Sequence, residues 1–191
     1  MPFATKISAK LRRKNPILSI EIHSFTSDEI LKKLEKCTLD AGLIPINDSN
    51  DHLADFLYEE HYVLIAPRTL ADISSSHVTW EAAARLPLCL FTNDSHIRQR
   101  IHDIFAKAKI NPKVVVEAND LSAVMAQVTA GNTATILPFS LANYFTEMTS
   151  LIILDLTEPV AVEKIGLFFN DQSALRLSLI HISEPTRLGF I

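Results

Sequence analysis

Residues 61–67, HYVLIAP, restrict the fold more than any other segment. From Tyr62 to Ala66 no side chain carries a charge, and Pro67 closes the run. A strand built from it presents apolar groups on both faces, because successive side chains point in opposite directions. A sheet with one wet face alternates apolar and polar residues; a continuous apolar strand needs other layers against both faces. The run is therefore predicted to be a central strand. Its position after a polar stretch from Asn47 to His52 suits a strand that leaves one lobe and enters another.

The segments on either side change period repeatedly. After Pro16, Leu18, Ile20 and Ile22 alternate with Ser19, Glu21 and His23, which predicts a strand over ILSIEIHS. Thr26 stands three positions before Glu29, the spacing of a capping box, and Ile30, Leu31 and Leu34 then share one helical face. With the short run AGLIPI at 41–46 this reads as a strand, helix, strand unit, which requires parallel strands. Past Pro67 the pattern predicts a short helix from Trp80 to Arg85 and a strand at LCLF. A helix through Ile97, Ile101, Ile104 and Phe105 follows, capped by Asp94 or Ser95. Strand KVVVEA, a helix from about Asp120 to Ala130 stopped by Gly131, strand ATILP, a short helix near Leu141 to Phe145, and strands LIILDL and IGLFF complete the order. Strands alternating with helices predict a doubly wound α/β fold, and 191 residues suffice for one domain or two small lobes.

Several chemistries find no support. The four glycines are scattered, so no glycine-rich phosphate loop is present, and no cofactor is expected. The seven histidines include no i, i+4 pair around a glutamate; His96 and His102 fall on different helix faces, so no metal site is expected. Outside the last residues no nucleophile and base stand together, and no catalytic residue is assigned. Cys37 and Cys89 are far apart and read as reduced thiols of a cytoplasmic protein. The apolar runs are too short to cross a membrane. A net charge of -4 gives no basic footprint for nucleic acid, although Lys10, Arg12, Arg13 and Lys14 are locally positive.

What recurs is a strand, a short polar run, and a helix start rich in small hydrogen-bonding residues: SFTSDE, FTNDSH and EANDLS. In open α/β sheets ligands bind beyond the carboxyl ends of the strands, where helix N-termini offer free N–H groups. The same residues also serve as ordinary helix caps, so both readings stand at this level.

In that order the segments resemble the effector-binding domain of LysR-type bacterial transcription regulators. The resemblance is carried by LRRKNPILSIEI, SDEILKKLEKCTLDAGLI, FLYEEHYVLIAPR, the long stretch from LPLCLFTNDSHIRQR through VTAGNTATILP, and LIILDLTEPVAVEKIGLFFN. It implies two doubly wound Rossmann-like lobes of the type 2 periplasmic-binding-protein kind. Lobe I would cover 1–65, lobe II 66–157 and the return to lobe I 158–176. It also implies a small polar or anionic effector between the lobes, contacted by Thr26 and Ser27, by Thr92 and Asn93, and by Asn119. The full-length regulator is expected to be a dimer or tetramer that reaches DNA only through an N-terminal helix-turn-helix. That element and the first strand of lobe I would precede residue 1, so lobe I is expected to be incomplete and the isolated chain poorly stable. A fragment of a periplasmic-type solute-binding protein is the alternative with the same fold. A small α/β enzyme is the third reading.

The last residues invite a different assignment. Leu175, Leu177 and Leu179 alternate like a strand, and His181, Ser183 and Glu184 are the residue types of a catalytic set. Yet LSLIHISEPTR at 177–187 reads as the translation of a transposase sequencing adapter, so 177–191 is expected to be a non-native tail.

Overall fold

The computed structural model describes residues 2–70 and 75–170, and the tail expected from residue 177 lies outside them. The chain divides into two compact units: unit 1 is Met1–Glu59 with Lys164–Ile191, and unit 2 is Glu60–Glu163.

Unit 1 opens with a helix that no sequence pattern above announced, α1 (Pro2–Lys14). Ile7 and Leu11, one turn apart, pack on Leu167, while Arg12, Arg13 and Lys14 fall in the exposed last turn, where the helix dipole favours cations. The strand expected at 17–23 does not form. These residues belong to no ladder, and Ile17 and Ile22 are 92% and 53% exposed. Alternation gives a segment two faces, but a strand also needs a neighbour to take up its N–H and C=O groups. The parallel strand, helix, strand unit is corrected with it. After α2 (Ser27–Glu35), strand β1 (Ala41–Pro45) pairs antiparallel with β8 (Val162–Phe169), from Ala41 opposite Phe169 to Pro45 opposite Ile165. α2 lies so close on β1 that a Cβ at Gly42 would strike Ile30. The unpaired run and β1 flank an apolar groove of about 290 Å³, lined by Ile7, Leu11, Ile20, Phe25 and Leu43 among others.

β2 (Asp55–Pro67) begins in unit 1 and runs into unit 2, and β8 leads back. Unit 2 continues with β3 (His77–Thr79), α3 (Trp80–Arg85), β4 (Leu88–Phe91), α4 (His96–Ala108) and β5 (Val114–Ala118). Then come α5 (Leu121–Thr129), β6 (Thr135–Pro138), α6 (Phe139–Ala142) and β7 (Leu151–Thr157). β2 is antiparallel to both β6 and β7, β3 is parallel to β7, β4 is parallel to β5, and a parallel bridge from Leu88 to Ala134 joins β4 to β6. All five strands other than β2 therefore point one way, and their carboxyl ends share one edge.

The apolar run from Tyr62 to Ala66 explains this arrangement. Tyr62, Leu64 and Ala66 face a core with Trp80, Ile101 and Phe105, under α3 and α4. Val63 and Ile65 face the opposite core with Val124, Met125, Val128 and Ala142, under α5 and α6. Val63 through Ala66 are fully buried, each worth about 1.5–3 kcal/mol for the larger side chains. Helix stops and starts also follow the sequence. Gly131 takes φ +93 just past α5, a conformation that side chains resist, and Asp120 caps the same helix by accepting from the Ala123 N–H at 2.9 Å. The cap of α4 is Ser95, but its side chain makes no capping bond.

Trp80 anchors the first core. It is fully buried, its ring meets Phe105 edge-on at 5.2 Å, and its Nε1–H donates to the Pro159 carbonyl at 3.0 Å. Trp80→Phe should cost about 1–3 kcal/mol by leaving that carbonyl unpaired, and Trp80→Ala about 3–5 kcal/mol through the cavity it opens. Urea unfolding of both variants checks the order; a negligible loss in Trp80→Phe would mean that the hydrogen bond contributes nothing, and equal losses that the ring packing adds nothing beyond it.

Candidate functional site

Two of the three polar turns singled out in the sequence lie side by side. β4 and β5 are in register at Phe91 and Ala118, so the turns that follow, Thr92–Ser95 and Asn119–Asp120, leave adjacent parallel strands at the same edge. The Thr92 N–H donates to the Ala118 carbonyl at 3.0 Å and ties one turn to the root of the other. Inside the first turn the Ser95 N–H donates to the Thr92 carbonyl at 3.0 Å, and Gln99 Nε2 donates to the Asn93 carbonyl at 3.3 Å. The Asn93 and Asn119 side chains are exposed at this edge, and Thr92 is partly buried. Arg98, reaching Glu117 with Nη2 at 3.2 Å, holds α4 against β5 beneath them.

Two carboxylates stand among these groups. The Thr92 hydroxyl beside Asp94 holds its carboxyl below the ordinary value of 3.8, helped by a backbone N–H. The Ser122 hydroxyl and then the Ala123 N–H do the same for Asp120. The positive ends of α4 and α5 thus already face negative charge supplied by the chain itself.

Thr26 and Ser27 belong to unit 1 and start α2. Thr26 is a working capping box: its N–H and its hydroxyl each donate to Glu29 Oε2 at 2.9 Å, and its oxygen accepts from the Glu29 N–H at 3.4 Å. For Thr26 the cap reading is realised, and its hydroxyl is already engaged.

The carboxyl edge of unit 2 also gathers residues that no motif signalled. β2 enters opposite Pro138, which places Glu60, His61 and Tyr62 beside the start of α6. Glu60 is only 5% exposed and accepts from the Ser140 N–H at 3.1 Å. Tyr62 donates to Glu163 Oε2 at 3.3 Å, and His96, the first residue of α4, meets Glu163 Oε1 at 3.0 Å. Burial, and then the Glu163 carboxylate, push the Tyr62 phenol well above its ordinary value. Among the described residues no group of three His, Cys, Asp or Glu side chains is placed to hold a metal ion, and no helix is long and apolar enough to cross a membrane.

A family model described as the LysR substrate binding domain matches residues 2–179. The chain belongs to this family. A probable hydrogen peroxide-inducible genes activator of Mycobacterium avium is 24% identical to this LysR domain over 169 residues, 87% of this chain and 54% of that protein. The chain therefore spans about half the length of that curated relative. Among solved structures, full-length OxyR from Pseudomonas aeruginosa superposes with a TM-score of 0.76 at 17% identity, over 92% of this chain and 61% of that one. Full-length CbnR complexed with its target DNA gives 0.75 at 15% identity, over 94% and 64%. Full-length BenM gives 0.74 at 19% identity, over 93% and 60%. At such identities the shared property is the fold, an α/β architecture of the type 2 periplasmic-binding-protein kind. The LysR assignment holds over the solute-binding alternative.

The carboxylates at the edge give a signed pH dependence. Their folded pKa values lie below the unfolded ones, so their stabilisation is complete above about pH 4 and is lost as pH falls through the lowered values. Asp94→Asn and Asp120→Asn should lower the urea midpoint at pH 7, with the difference from the parent chain shrinking towards pH 2. A difference that is constant across that range would contradict the assignment.

Proposed function

We propose that this LysR domain senses a small polar molecule, held at the carboxyl edge of unit 2 by Thr92, Asn93 and Asn119. The supporting observation is the Thr92 to Ala118 hydrogen bond, which fixes two polar strand-to-helix turns next to one another at the edge where α/β sheets bind ligands. The side chains offered there are two exposed amides, able both to donate and to accept, and the Thr92 hydroxyl, whose proton goes to Asp94 and whose oxygen can still accept. Asp94 and Asp120 weigh against an anion and favour a neutral or donor-rich effector. The two cysteines favour non-covalent sensing over thiol oxidation. Cys89 is buried and its thiol is pushed up by desolvation, and exposed Cys37 belongs to the other unit. In this reading the effector changes how a dimer or tetramer of the full-length regulator presents separate DNA-binding domains. The chain acts as a sensor and not as an enzyme.

Thermal-shift screening against neutral amides, hydroxy compounds, amino-acid derivatives and small acids tests the site. Thr92→Ala and Asn119→Ala should each weaken a genuine hit by about fivefold to tenfold, the worth of one or two hydrogen bonds. A hit whose shift survives both substitutions would overturn the site.

A further inference from the structure

The start of α4, directly after the turn that carries Thr92 and Asn93, is tied to one carboxylate. Glu163, on β8, has a side chain only 12% exposed, yet three side chains from two elements converge on it. Its Oε1 meets His96 Nε2 at 3.0 Å and lies 3.8 Å from Arg100 Nε, both on α4. Its Oε2 accepts the Tyr62 hydroxyl of β2 at 3.3 Å. Arg100 also reaches the Val162 carbonyl with Nη2 at 3.5 Å, so it meets β8 at the preceding residue's backbone as well as at the carboxylate. No other carboxylate contacts either His96 or Arg100 in an ion pair among the described residues. All of these groups lie within unit 2, and β2 and β8 are the two strands through which the chain passes between unit 1 and unit 2.

We propose that Glu163 is a positioning residue of the effector site, joining the first turn of α4 to both crossing strands. Its functional meaning rests on the effector reading given above, since a ligand that pulls on Thr92 or Asn93 acts on the turn directly preceding His96. The physical basis is the double use of one poorly solvated carboxylate. Each oxygen is committed to a different element, so a shift of α4 changes the charge-assisted bond at Oε1 and with it the balance at Oε2 towards Tyr62. A side chain that only filled space would touch the same neighbours but would not link their mobility.

Amide hydrogen exchange of the full chain, read by mass spectrometry without any ligand, separates the two limbs. Glu163→Gln keeps the shape and should speed exchange about tenfold both in peptides covering the start of α4 and in those covering the Tyr62 end of β2. His96→Gln should loosen only the start of α4, Tyr62→Phe only β2, and Glu163→Asp should recover part of the protection that Glu163→Gln loses. Exchange that rises evenly through unit 2, that stays confined to β8, or that is equal in Glu163→Gln and Glu163→Asp would overturn the proposal. Because no ligand enters this measurement, its failure leaves the effector reading standing. A surviving thermal shift in Thr92→Ala and Asn119→Ala would instead remove that reading and leave the Glu163 linkage as a property of the fold.

Discussion

The pairing of β2 on both of its edges is the constraint from which the rest of unit 2 follows. A strand hydrogen-bonded to β6 on one side and β7 on the other, with Val63 to Ala66 buried on both faces, has no freedom to slip in register. A one-residue slip would exchange Tyr62, Leu64 and Ala66 for Val63 and Ile65 between two cores that differ in shape and in the helices covering them. Because β2 runs against its neighbours, the others are left parallel to one another, and parallel strands need helical crossovers. Each of α3, α4, α5 and α6 follows one of these parallel strands, so its N-terminus lies at the same edge, which is why Thr92, Asn119 and the start of α6 share it.

The edge is polar for a reason separate from its location. Strand ends expose carbonyls and helix starts expose N–H groups, so short hydrogen-bonding side chains collect there in most α/β proteins, with or without a ligand. The distinction lies in what is already satisfied. In unit 1 Thr26 spends its N–H and hydroxyl on Glu29; in unit 2 Thr92 spends its hydroxyl on Asp94, whereas the side chains of Asn93 and Asn119 stand exposed beside Thr92. Capping thus falls to some of these groups, while the exposed amides of Asn93 and Asn119 stand near the negative charge of Asp94 and Asp120.

Local patterns were legible where one segment decides its own structure. The Thr26 and Glu29 spacing gave a capping box, Gly131 gave a helix stop, and the 61–67 run gave a two-faced strand. The alternation at Leu18, Ile20 and Ile22 misled because pairing depends on a neighbour that the segment does not contain. Helix α1 was missed because only Ile7 and Leu11 mark its inner face among lysines and arginines, too few apolar positions to show a period. The cluster around Glu163 was invisible for a stronger reason. Tyr62 lies 101 residues and His96 67 residues away in sequence, and only the antiparallel course of β2 and the start of α4 bring them to one carboxylate.

The central claim is that the carboxyl edge of unit 2 is the place where a small polar effector acts. The most direct measurement is chemical-shift mapping of the isotope-labelled chain during titration with the small polar compound that stabilises it most. The largest changes are expected at the amides of Thr92 to Ser95 and Asn119 to Ser122, with smaller ones near Tyr62. Changes centred instead on the apolar groove lined by Ile7, Leu11, Ile20 and Phe25, with the edge of unit 2 unmoved, would contradict it.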